Sequence, residues 1–368
     1  MIHFLVPRDQ DFAIKDYLDL FGQPLRKDMR ILYYEEAIQQ REFFSGTYVL
    51  SALDQLNPSM AQLLFEIHKQ LNQIDGIRFL NNPRNTLQRF ELLNKLNRLG
   101  KNDFRAFRAN ADLTGLRFPV FLREESSHHG AISPLLNSER DIRAALGRAL
   151  IQGHDIKNLL IVEFCDTVDE KGYYRKYAAF IVGKRVIARS LNYGREWMLK
   201  HSITEFTMPM VREELEYVSR NPHQQQLLEI FDLAQVEYGR IDYAIKDHKV
   251  QTWEINLYPT IGRGPRLRST PLSPELDAVR DETKRCFYER FERAWREVNL
   301  PTKPEQSTRV ILKADVVREA MKPNGPRSRL LNAIKAVLRP AKPFILPLSP
   351  PFLFILGSVA RLRRQKRS

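Results

Sequence analysis

The chain has 368 residues, of which 43% are hydrophobic and 28% charged, with a mean hydropathy of -0.41. That is enough to bury a substantial core in two or three lobes, and it is the balance of a soluble protein rather than an integral membrane one. Two cysteines, Cys165 and Cys286, exclude a disulfide scaffold and a multi-cysteine zinc site.

The formal charge of +14 has the size expected of a nucleic-acid binder, but its distribution argues against one. Residues 301–368 hold 15 Lys/Arg against Glu305, Asp315 and Glu319, which leaves 43 basic and 41 acidic side chains in residues 1–300. The body is nearly neutral and the basicity belongs to the tail, so no nucleic-acid partner is expected. Arg8, Asp9, Asp11 and Lys15 interrupt any apolar run at the N-terminus. No secretory signal is read there, and a cytoplasmic location is expected.

In chain order, residues 2–6 read as a buried strand and 12–21 as helical, followed by strands at 30–34 and 47–50. Leu63, Leu64, Ile67 and Leu71 give 60–71 a helical period, and 77–80 is a further strand ending at Asn81-Asn82-Pro83. Such alternation predicts a small parallel-sheet lobe. Residues 87–99 form a helix on Leu87, Phe90, Leu93, Leu96 and Leu99, with Gly100 as its C-cap. A strand at 117–123 runs into the polar turn 124–130. A helix at 139–152 and an apolar strand at 158–164 come next. Hairpins are predicted at 173–191 and at 237–257, and a long charged helix at 277–298.

The second hairpin carries the chemistry. Side chains alternate faces along a strand, so Arg240 and Asp242 lie opposite Ile241, Tyr243 and Ile245. Likewise Glu254 and Asn256 lie opposite Trp253, Ile255 and Leu257. A three-residue loop, 247–249, pairs Lys246 with Val250 and places Asp242 across from Glu254 and Arg240 across from Asn256. Facing carboxylates repel by about 4 kcal/mol at ~4 Å and an effective dielectric near 20. Protonation of one, or a divalent cation between them, relieves this. Two carboxylates and an amide oxygen are hard ligands that suit Mg²⁺, which also takes water and phosphate oxygens. A solvated polar face with a cross-strand Arg–Asp pair is the plain alternative.

Arg240-x-Asp242, Glu254-Ile-Asn256 and Pro259, in that order, resemble the metal-binding end of an ATP-grasp enzyme. Asn82-Pro83 resembles the junction into that family's ATP-binding lobes, and 118–123 its strand bearing a phosphate-binding lysine. The turn to Gly130 resembles its mobile phosphate loop, and 160–164 its adenine-contacting strand, whose acid can reach ribose. The resemblance spans roughly residues 80–260. It implies an α/β (α+β) architecture: a small N-terminal parallel lobe (1–81), a small ATP-binding lobe (82–164), a large lobe with the metal site (165–300) and a tail (301–368). It implies an ADP-forming ligase that activates a substrate carboxylate as an acyl-phosphate for attack by an amine or similar nucleophile.

On this resemblance Asp242, Glu254 and Asn256 hold Mg²⁺, and Arg240 stabilises charge near the transferred phosphoryl group. Arg123, His128, His129 and Gly130 meet the phosphates of ATP, and Glu163 and Phe164 meet the nucleoside. Arg175, Lys176, Arg189 and Lys200 face the triphosphate or the substrate carboxylate, unless they form a basic solvated face. Arg263, Arg266 and Arg268 are further anion contacts or an exposed loop. Two departures stand out: Arg123 replaces the usual lysine, and the 124–130 turn has one glycine where several are usual. They leave two other readings open, a nucleotide-binding membrane scaffold without turnover and a phosphotransferase acting on a hydroxyl. Cys165 and Trp197 read as packing residues.

In the tail, Leu330, Leu331, Ile334, Val337 and Leu338 share a helical face among basic residues. Residues 344–360 are uncharged but interrupted by Pro347, Pro350 and Pro351, and five more cations follow. This pattern suits peripheral binding to an anionic membrane through 327–368, or docking on the body or a partner.

Overall fold

A computed structural model describes residues 1–8, 10–128, 130–199, 206–262, 273–301 and 307–321. The chain opens with β1 (Ile2–Val6), whose five residues are all buried, as a strand covered on both faces requires. After it come α1 (Phe12–Leu20), β2 (Met29–Tyr33), α2 (Tyr34–Gln40), β3 (Glu42–Phe44), β4 (Gly46–Leu50), α3 (Pro58–Leu71) and β5 (Ile77–Leu80). Strands β2-β1-β4-β5 form a parallel sheet in that order. Asn57 caps α3 by accepting from the Met60 N–H at 2.8 Å, with Pro58 at the first helical position.

The second group is α4 (Arg89–Arg98), β6 (Ala106–Arg108), β7 (Val120–Glu124), α5 (Glu139–Ile151) and β8 (Leu159–Glu163). Here the sheet is antiparallel, ordered β6-β8-β7. Gly100 follows α4 with φ +67°, the left-handed conformation expected of a C-terminal cap.

The third group holds β9 (Tyr174–Val182), β10 (Arg185–Gly194), α6 (Met208–Arg220), α7 (Gln224–Ala234), β11 (Tyr238–Lys246), β12 (Lys249–Asn256) and α8 (Pro274–Val298). Its antiparallel sheet is ordered β10-β9-β11-β12. Helix α8 joins the groups: Trp295 meets Phe4 of β1 edge-on at 6.1 Å and Tyr238 of β11 at 5.4 Å. A parallel sheet followed by two antiparallel ones is the mixed α/β arrangement expected.

Several elements were not expected. Helices α2, α6 and α7 and the short strands β3 and β6 were not read from the sequence. Residues 307–321, expected within the tail, instead add β13 (Ser307–Arg309), which pairs antiparallel with β3, and α9 (Ala314–Ala320), which lies against α3. Residues 1–320 thus cluster as one unit. The tail region 327–368 lies outside the described residues. Among the described residues no helix is long and apolar enough to cross a membrane.

Candidate functional site

The β11–β12 hairpin has the expected pairing at its functional end, reached by a different route. Its turn is two residues long: Asp247 and His248 have φ +48° and +60°, and Lys246 pairs with Lys249. Two left-handed residues make the turn type that matches strand twist. The register then shifts between Tyr243, which faces Thr252, and Asp242, which faces Glu254. The extra residue, Trp253, is a bulge whose ring lies 4.8 Å from Phe104. The shorter turn and the bulge cancel. Asp242 faces Glu254 and Arg240 faces Asn256.

The two carboxylates are relieved by basic side chains. Glu254 Oε2 accepts from Arg123 Nη2 at 3.0 Å and from Arg89 Nη2. Arg240 grips Asp242 with two hydrogen bonds, at 2.8 and 3.2 Å, and Lys176 Nζ lies 3.6 Å from Asp242 Oδ2. Several attractions at these distances outweigh one repulsion of similar size per pair. Burial pushes the Glu254 carboxyl up, but the Arg89 and Arg123 guanidinium groups together hold it well below the usual carboxylate range. Burial, helped by the Arg89 charge, brings Arg123 down to about 10, so it too stays protonated at neutral pH.

Five elements supply these groups. Arg89 opens α4, Arg123 sits on β7, Lys176 on β9, Arg240 and Asp242 on β11, and Glu254 and Asn256 on β12. The Asn256 side-chain oxygen accepts the Tyr258 N–H at 2.7 Å, which fixes the amide where the strand ends.

Arg89 was not anticipated. Its other terminal nitrogen donates to the carbonyls of Glu124 (3.0 Å), Ser127 (3.1 Å) and Glu125, pinning the polar turn beside Glu254. A signal was present in the sequence. Arg89 shares the i, i+4, i+7 stripe with Leu93 and Leu96, and a cation within a buried stripe needs a partner. The turn is tethered further by the Arg108–Glu125 ion pair, the Ser126–Asn158 hydrogen bonds and a bridge between Arg123 and Ala131. His128 lies on it with Nε2 3.3 Å from Asp54 Oδ2, and Gly130 has φ +87°. These contacts tether residues 124–128 of the turn that resembles the phosphate loop. His129, Lys200, Arg263, Arg266 and Arg268 lie outside the described residues.

Two expected contacts are placed otherwise. Glu163 pairs with Val120, three residues along β7 from Arg123, or about 10 Å. Its carboxylate accepts five hydrogen bonds, two from Arg105 and three from Arg117, and so clamps residues 105 and 117 rather than offering an oxygen to ribose. Arg175 is on the opposite face of β9 from Lys176, because alternate residues diverge. It pairs with Asp169 and with Glu213 at 3.0 Å over the Tyr193 ring, away from Asp242. Arg189 interrupts the pairing of β10 with β9 and packs on α8. Phe164, just beyond β8, donates its N–H to Pro119 at 2.9 Å and meets Trp197 edge-on at 5.7 Å. Trp197 and Cys165 belong to one apolar cluster, and burial lifts the Cys165 thiol to about 11.

No cluster of three His, Cys, Asp or Glu side chains able to hold a metal ion occurs among the described residues. The donors available are Asp242, Glu254 and the Asn256 amide. They are all hard oxygens at neighbouring register positions, and the charge around Glu254 keeps it ionised. That set fits a small divalent cation completing its shell with water and phosphate oxygens. Four cations around two carboxylates leave this face net positive.

No protein-family model matches the chain, and no curated protein matches it. Among solved structures it is similar to the D-alanine–D-alanine ligase of Bacillus anthracis, with 14% identity and a TM-score of 0.44, covering 80% of this chain and 97% of that one. The D-alanine–D-alanine ligase of Coxiella burnetii gives 10% identity and a TM-score of 0.42 over 81% and 97%. The L-amino acid ligase of Bacillus licheniformis gives 10% and 0.37 over 70% and 66%.

Proposed function

We propose that the chain is an ATP-dependent ligase of the ATP-grasp type, which activates a substrate carboxylate for attack by an amine or similar nucleophile and releases ADP and phosphate. The observation that carries this reading is the facing pair Asp242 and Glu254, ringed by Arg89, Arg123, Arg240 and Lys176. It combines hard-oxygen ligands with a surplus of positive charge, the combination that a metal-bound phosphate needs.

Asp242, Glu254 and Asn256 are the residues that would hold Mg²⁺. When bound, the ion neutralises phosphate charge. Arg123 and Lys176 bind phosphate oxygens as fixed charges, and Arg240, already oriented by Asp242, stabilises charge developing at the transferred phosphoryl group. Arg89 holds the 124–127 carbonyls and excludes water from Glu254. Phosphoryl transfer of this kind depends on positioning and electrostatics more than on covalent help from the protein.

One observation favours a reading without turnover. Glu254 Oε2 is already engaged by two arginines, so cation binding must compete with them. Magnesium-dependent ADP release, measured across a library of carboxylates, separates the readings. The ligase predicts acid-stimulated release that Glu254→Gln abolishes. Nucleotide binding without release on any acid contradicts it, and phosphate recovered on a hydroxyl identifies a phosphotransferase.

The basic and apolar composition of 327–368 supports peripheral attachment to an anionic membrane. Sedimentation with phosphatidylserine vesicles should be lost on deleting these residues; retained sedimentation contradicts the attachment.

A further inference from the structure

One cation beside the site has no role in this scheme. Ala188 pairs with Ala179 and Ser190 with Ala178, so Arg189 is the extra residue of a bulge in β10. Bulges re-aim a side chain out of the alternating pattern. The Arg189 guanidinium lies over the rings of Phe287 (4.5 Å) and Tyr288 (5.6 Å), and its Nε donates to the Ile261 carbonyl at 3.2 Å. Arg89, Arg123 and Arg240 each meet a carboxylate. Arg189 meets none within ion-pair distance among the described residues, and its terminal nitrogens have no acceptor there. A partly buried guanidinium held flat by two rings, with its edge unoccupied, is shaped to receive a planar carboxylate in two parallel hydrogen bonds.

Its position relative to the site follows from the sheet register. Ser190, Ala178, Asp242 and Glu254 form one row across β10, β9, β11 and β12. Two strand spacings therefore separate Ser190 from Asp242, about 10 Å. Within that row Ala178 lies between them, and Lys176, on the same face of β9, reaches Asp242 Oδ2 at 3.6 Å. On the next row Phe180 faces Arg240 and packs on Phe287, at 5.7 Å, so the aromatic seat of Arg189 is continuous with the site face.

We propose that Arg189 binds a second carboxylate of the substrate, so that the acid activated beside Asp242 is a short dicarboxylate. The identity of the reacting end rests on the ligase reading; the second-carboxylate site does not. Glu214 acts on the Arg189 charge from beyond ion-pair distance, but a monoacid leaves the guanidinium edge without a hydrogen-bonded carboxylate, which costs affinity.

The test is calorimetric titration of the full chain with glutarate and with valerate, acids of equal carbon number that differ by one carboxylate. Wild type, Arg189→Met and Arg189→Lys are compared, each also titrated with a non-hydrolysable ATP analogue in magnesium. Met keeps a stem on the rings and removes the charge. The expected result is a glutarate preference of about tenfold in the wild type, lost in Arg189→Met and partly restored in Arg189→Lys. The nucleotide curve and the thermal midpoint of Arg189→Met should match the wild type. Equal affinity for the two acids, or a glutarate preference that survives Arg189→Met, overturns the assignment. Absence of saturable nucleotide binding by the wild type counts against the ligase reading, whereas an Arg189-dependent glutarate preference still assigns the second site.

Discussion

Arg89 and Glu254, 165 residues apart in the chain, share a buried ion pair that ties the first turn of α4 to the second strand of the site hairpin. The same guanidinium holds three carbonyls of the 124–127 turn. Arg89 therefore organises both the carboxylate and the loop beside it.

Replacing Arg89 with Met removes that pair and leaves the three carbonyls without their donor. Breaking a buried ion pair from one side costs about 3–5 kcal/mol, because the partner charge stays buried. Arg123 remains on Glu254, so a loss of about 3 kcal/mol in urea unfolding is expected. A change below about 1 kcal/mol would show the pair to be incidental.

His3 predicts a pH dependence. It is buried, stacked on Tyr48 at 4.5 Å, and burial together with the N-terminal charge pushes its pKa from 6.5 down to about 4. The folded state thus binds the proton less readily than the unfolded one. Its stabilising contribution is full above pH 6.5 and is lost as pH falls toward 4, a range worth roughly 3 kcal/mol. His3→Phe keeps the stack and should flatten the stability profile between pH 4 and 6.5. Identical profiles for the two proteins would refute the assignment.

The hairpin turn offers a gain. His248 holds φ +60° at a position where glycine carries no steric penalty. His248→Gly should raise the thermal midpoint, by an amount equivalent to about 0.5–1 kcal/mol. A lowered midpoint would mean the His248 side chain contributes contacts that outweigh its backbone strain.

These cases mark how far the sequence could be read. Period-two alternation brought Arg240, Asp242, Glu254 and Asn256 to one face, because alternation is a local property of the chain. The pairing of Asp242 with Glu254 came out right although the turn is one residue shorter than expected, since the bulge at Trp253 restored the count. Arg89 escaped notice because its helix was read by its apolar positions alone. The clamp on Glu163 was hidden because Arg105 and Arg117 reach it through folding of a loop, which no period records. The β3–β13 pairing joins segments more than 260 residues apart, beyond any local signal.

The central claim is that the Asp242–Glu254 face binds nucleotide phosphate together with a divalent cation. Equilibrium titration of a non-hydrolysable ATP analogue, with and without magnesium, into wild type and Asp242→Asn tests it most directly. Asparagine preserves the shape and removes one ligand charge. Saturable binding that requires magnesium in the wild type and weakens about tenfold or more in Asp242→Asn is predicted. Binding indifferent to both magnesium and the substitution would contradict the account.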